Sequence, residues 1–158
     1  MLEHLASHGF PTVDEPGRRI VRDEFANGGQ ALPWLDAPGF ARRCIDTARA
    51  DLAGCDRGRW VFFDRGLVDA NAALRHYTGY DACSVEELLS YHQRAFLAPP
   101  WPELYVADDE RQLTFADAVG EYSRLLDAYD ELGYTITVLP KTGVAERTNL
   151  ILTELGLR

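Results

Sequence analysis

The sequence predicts an α/β domain, and three observations carry that prediction. Short apolar runs alternate with helical patterns along the chain. The runs are too short, and too continuously apolar, to be amphipathic helices. Two of the helical patterns carry a full apolar stripe with recognisable caps and stops. Alternation of this kind separates an α/β chain from a helical bundle or a β-sandwich.

The elements follow in order. Met1–Ser7 (MLEHLAS) reads as a helix with Leu2 and Leu5 inward and Gly9 as its stop, although nothing ahead of it serves as a cap. An α/β chain that begins on a crossover helix lacks the strand that should feed it, which leads us to expect residues upstream. Pro11–Val13 is the first strand candidate. A helix over Gly17–Asn27, a break at Gly28–Gly29 and a helix over Pro38–Ala53 lead to the second strand, Trp60–Phe63 (WVFF). Helices over Leu67–Leu74 and Ser84–Leu89 precede a third strand at Arg94–Leu97. The segment Leu97–Asp109 is a loop, because Pro99, Pro100 and Pro102 cannot sit inside a helix. From Thr114 the positions Phe115, Ala118, Val119, Tyr122, Leu126, Tyr129 and Leu132 keep to one helical stripe, with Thr114 and Asp117 as a capping pair and Gly133 as the stop. Thr135–Leu139 (TITVL) is the fourth strand. The last helix runs from Val144 to Leu155, its stripe made by Val144, Thr148, Ile151, Leu152 and Leu155.

Composition bounds the function. With 158 residues and 46% hydrophobic content the chain can bury one core, so residues 1–158 are expected to form a single domain. A net charge of -9 argues against a broad footprint on DNA or RNA. Cys44, Cys55 and Cys83 are odd in number and form no C-x-x-C, which suits ordinary thiols in a reducing compartment. No apolar stretch approaches the ~20 residues of a membrane helix, and no secretory leader pattern opens the sequence. A cytoplasmic protein without nucleic-acid or membrane partners is the expectation.

Three clusters are candidates for chemistry. Trp60–Phe63 delivers Asp64, Arg65 and Gly66 at a strand's carboxyl end, where α/β sheets place their ligands. An acid there can hold Mg²⁺ directly or through water, and the arginine beside it can clamp a phosphate or carboxylate with its planar fork. The same residues also suit a plain turn with a surface ion pair. Val13-Asp14-Glu15-Pro16 is a second strand end, followed by Arg18, Arg19 and Arg22 on a helix. A carboxylate there could accept a substrate proton, or could simply complement a helix N-terminus. Asp108-Asp109-Glu110-Arg111 precedes the long helix, from where Arg111 could swing over a bound phosphate unless the run is only solvated. His4 and His8 have metal-ligand spacing but no third ligand nearby. Trp34, Trp101 and Tyr105 suit packing better than base stacking.

Taken in this order, the pieces resemble the P-loop AAA-type domain family that includes the nicotinamide riboside kinase domain. The resemblance rests on Glu15-Pro16 with Arg18-Arg19, on Phe62-Phe63-Asp64-Arg65-Gly66, on Phe96-Leu97-Ala98-Pro99-Pro100-Trp101-Pro102-Glu103, on Arg111 and on Gly133-Tyr134. It implies a three-layer α/β sandwich with a mostly parallel sheet, and ATP and Mg as cofactors. It also implies a small-molecule phosphate acceptor, with Asp64 as the acid beside the magnesium, Arg65 on substrate or phosphate, Glu15 as the acceptor-side carboxylate and Arg111 as a lid arginine.

One departure from the family is plain. The phosphate-binding G-x-x-x-x-G-K-[ST] is missing from the sequence. Lys141 is the only lysine, so it is the one lysine available for nucleotide contact. However, Lys141 follows Pro140 rather than Gly, and Thr135 stands where the motif needs Gly. Either a first strand and P-loop lie upstream and the domain is truncated relative to the family, or the strands ending at Phe63 and Leu97 pair directly in a natural remnant. Two functions follow. The first is an ATP-binding P-loop NTPase-like domain, for phosphoryl transfer to a small molecule or ATP hydrolysis, impaired without its phosphate loop. The second is a non-catalytic binding module on the same scaffold.

Overall fold

The computed structural model describes residues 1–104 and 114–157. Seven helices and four strands alternate among them, in the order α1 (Leu2–Ser7), β1 (Thr12–Val13), α2 (Pro16–Asn27), α3 (Ala37–Gly54), β2 (Phe62–Phe63), α4 (Leu67–Thr78), α5 (Val85–Leu88), β3 (Arg94–Leu97), α6 (Phe115–Glu131), β4 (Thr135–Val138) and α7 (Val144–Glu154). A single 3₁₀ turn occupies Pro102–Leu104. Every expected helix is present, as are all four strands. The strands are shorter than expected: Pro11, Trp60, Val61 and Leu139 stand outside the ladders.

Local chemistry explains the helix ends. Pro16 opens α2 where a missing N–H costs nothing, and Gly28 closes it in the left-handed region, φ +66°. Asp36 accepts the Gly39 amide at 2.9 Å to start α3. Ser84 with Glu87, and Thr114 with Asp117, form reciprocal capping boxes at the heads of α5 and α6.

The strands form two parallel pairs. β1 runs beside β2 with Thr12 opposite Phe62, and β3 beside β4 with Arg94 opposite Thr135 and Leu97 opposite Val138. Among the described residues β2 and β3 form no ladder with each other. This corrects the alternative in which the strands ending at Phe63 and Leu97 pair directly. A cavity of about 920 Å³ is lined by both of them, together with Leu2 and Leu5 of α1, Leu125 of α6 and Ile151 of α7.

The main core lies among the helices. Ile20, Ala41, Ile45, Ala48, Leu67, Val68 and Leu74 form one buried cluster, closed by Leu88 and Tyr134. Cys44 belongs to it, and burial pushes its thiol up to about 12, which makes it a packing residue. The described cysteines are all free. No described helix is long and apolar enough to cross a membrane.

Candidate functional site

β1 and β2 run parallel, so their carboxyl ends bring Asp14-Glu15 and Asp64-Arg65 to the same edge. The Asp64 amide donates to the Val13 carbonyl at 2.9 Å, which extends the ladder to the point where the chain turns. Asp64 itself is exposed and borders the cavity. Arg65 follows with φ +65°, the single left-handed residue other than glycine among the described residues. A bulky side chain in that region costs of order 1 kcal/mol or more, and such strain gathers at ligand clamps.

The surroundings of Arg65 hold it in place. Its Nη1 donates to Glu121 Oε1 at 2.5 Å and its Nη2 to Glu121 Oε2 at 3.4 Å, while Nε stands 3.4 Å from Glu15 Oε1. Glu15 also meets Arg18, Nε to Oε2 at 3.5 Å. Burial works against the charge of Arg65, but Glu121 and Glu15 outweigh it and keep the guanidinium protonated well above its ordinary range.

Behind Arg65 the head of α4 is closed by protein groups. The Gly66 amide donates to Asp69 Oδ2 at 3.0 Å, and the Leu67 amide donates to the Tyr91 hydroxyl at 3.1 Å. Tyr129 of α6 donates its hydroxyl to the same Asp69 oxygen at 2.9 Å. Burial raises the Asp69 carboxyl above its ordinary value, against the pull of Arg65, the Tyr129 hydroxyl and the Gly66 amide. Burial likewise lifts Tyr91 to about 12 and Tyr129 well above its usual range. These are positioning groups that fix the turn carrying Arg65.

The structure therefore brings Glu15, Asp64 and Arg65 together, with Arg18 beside them on the cavity wall. Arg19 faces elsewhere: it pairs through both terminal nitrogens with Asp51 of α3. Lys141 pairs with Glu103, Nζ to Oε2 at 2.6 Å, and does not line the cavity. Arg111 and Tyr105 lie outside the described residues. His4 and His8 stack at 4.9 Å, and no group of three or more metal-ligating side chains occurs among the described residues. Trp34 packs at 6.0 Å on Phe25, and Trp101 lies under the Arg147 guanidinium at 5.1 Å.

Sequence reasoning missed Glu121, Asp69, Tyr91 and Tyr129. For Asp69 a signal existed, because an acid three residues after a helix's first flanking residue commonly returns to that residue's amide. Glu121 left no signal, since it meets Arg65 across 56 residues of chain.

Donor chemistry permits a magnesium nucleotide at this edge. Mg²⁺ takes one or two carboxylates and fills its shell with phosphate and water, which an exposed Asp64 suits. Arg65 and Arg18 supply planar cationic groups for an anion, both now engaged by carboxylates.

A sequence model of the AAA domain family matches residues 1–147 of the chain. No curated protein matches it, and neither does any solved structure.

Proposed function

The chain belongs to the AAA domain family, a nucleotide-binding NTPase type, and on that premise we propose that its site serves ATP- and Mg²⁺-dependent chemistry at the shared edge of β1 and β2. One observation carries this reading: Asp64 and Arg65 stand together at the carboxyl end of β2, directly beside Glu15 at the end of β1.

Asp64 would hold Mg²⁺, whose part is to neutralise phosphate charge. Arg65 and Arg18 would meet phosphate oxygens, and Glu15 would orient or deprotonate the hydroxyl of a small acceptor, or a water. Catalysis by such a set is positioning and charge stabilisation.

The backbone supports a further strand between β2 and β3. The Phe62 and Asp64 amides donate to the Pro11 and Val13 carbonyls, so alternation turns the backbone groups of Phe63 away from β1. The Thr135 and Leu139 amides bond to Gln93 and Leu97, so those of Phe96 turn away from β4. Phe63 and Phe96 both line the cavity. Parallel sheets bury their strands, and one more parallel strand here would join the two pairs into a single sheet.

Calorimetric titration with ATP, with and without Mg²⁺, tests the function. Without G-x-x-x-x-G-K-[ST] each absent phosphate contact removes ~1.5–3 kcal/mol, so Mg²⁺-dependent binding weaker than ~100 μM is expected. Asp64→Ala should abolish the Mg²⁺ dependence and leave the fold intact. Nucleotide binding that ignores both Mg²⁺ and this substitution would overturn the assignment. Complete absence of binding would favour a non-catalytic interaction module, a reading supported by the carboxylates that already occupy Arg65.

A further inference from the structure

Arg65 lines the cavity, but its fork is taken. Both terminal nitrogens point at the two oxygens of Glu121, the side-by-side arrangement in which arginine also receives a phosphate or carboxylate ligand. Glu121 belongs to α6, whereas Arg65 lies in the turn between β2 and α4. The neighbouring amides of Gly66 and Leu67 are already taken by Asp69 and Tyr91, so these two do not stand in for Arg65 as the anion's partner.

We propose that Glu121 is a built-in placeholder, whose carboxylate occupies Arg65 in place of the anionic group of a ligand, so that ligand binding and the Arg65–α6 contact compete. The competition concerns the site of the proposed function and rests on that reading for its biological meaning. Its physical basis is narrower: the Nη1–Nη2 face of one guanidinium cannot hold two bidentate anions, and Glu15 already stands against Nε.

The geometry suits exchange. Arg65 and Glu121 are each 30% exposed at the side chain, so neither is sealed from a ligand arriving at the cavity edge. Glu15 keeps its contact to Arg65 Nε and to Arg18, so the guanidinium stays anchored on one side while the other is contested. A ligand must therefore bring an anion that outcompetes one carboxylate. Phosphate oxygens meet that demand better than a single acid, particularly with a divalent cation offsetting repulsion from Asp64 and Glu15.

The test is titration of the protein with inorganic pyrophosphate plus Mg²⁺, comparing wild type, Glu121→Gln, Glu121→Asp and Arg65→Gln. Removing the competing charge should tighten pyrophosphate binding about tenfold in Glu121→Gln, the scale of one charge-assisted contact. Glu121→Asp, which keeps the charge but shortens its reach, should fall between the two and serves if the glutamine variant folds poorly. Arg65→Gln should abolish binding. Equal or weaker binding in the Glu121 variants, or no binding in either, overturns the placeholder. A parallel titration with ATP and Mg²⁺ separates the two readings. Tightened pyrophosphate without any ATP binding leaves the placeholder and removes the nucleotide function, while ATP binding that is indifferent to Glu121 does the reverse.

Discussion

Asp69 holds the turn on which Arg65 sits, and Asp69→Ala perturbs that turn without touching any group proposed to meet a ligand. Asp69 is 8% exposed, and its carboxylate accepts from the Gly66 amide at 3.0 Å and the Tyr129 hydroxyl at 2.9 Å. Losing the acceptor at the head of α4 costs about 1 kcal/mol, the usual value of a helix cap. Leaving the Tyr129 hydroxyl without its acceptor adds about 1–3 kcal/mol. Relief of the burial penalty on the carboxylate offsets part of this, so the expected loss is about 2–3 kcal/mol. In a domain of this size that corresponds to a fall of about 5–10 °C in Tm. Urea unfolding followed by circular dichroism, for wild type, Asp69→Ala, Tyr129→Phe and the double variant, measures it directly. The double variant should be less damaged than the sum of the singles by about 1 kcal/mol, because both partners are then gone together. A loss within about 0.5 kcal/mol of zero at unchanged denaturant slope, or strict additivity, would refute the role given to this network.

Two further expectations can be checked with the same unfolding assay. Asp69 is raised above the ordinary carboxyl value, so its contribution is fully present below the unfolded pKa and is lost as pH climbs through the folded one. The stability advantage of wild type over Asp69→Asn should therefore be greatest below about pH 4 and narrow as pH rises; a gap that widens with pH would contradict it. A Cβ at Gly29 would run into Glu24 Oε2, and that carboxylate is fixed by Arg43 and by the Ala31 amide at 2.8 Å. Gly29→Ala should thus cost about 1–2 kcal/mol, and a neutral result would show that Glu24 yields freely.

The elements were legible because their signals are local. Thr114 and Asp117 cap α6, Ser84 caps α5, and Gly28 ends α2, all through groups within a few residues of one another. The face of α6 was less legible. Its stripe placed Val119 inward, yet Val119 is 41% exposed and Leu125, outside the stripe, is the buried residue. The inward face depends on where α6 docks against α4, and periodicity does not report that. Candidate site residues divide in the same way. Asp64 and Arg65 were found from a strand end, and Glu15 from the next, whereas Lys141 is a lysine whose partner in the fold, Glu103, lies away from the cavity.

By itself, the sequence determined the α/β class, the helices and their caps, and the acid-and-arginine character of the strand ends, because each follows from neighbours a few residues apart. Only the tertiary structure decided that the strands form two separate parallel pairs with a cavity between them. It alone also decided that Glu121 fills the fork of Arg65 and that Asp69 and Tyr129 lock the turn behind it. The physical reason is the same throughout: a cap or a stripe is set by backbone geometry over one or two turns, but a contact across 56 or 60 residues exists only once several helices have docked, and many different sequence spacings could have produced it.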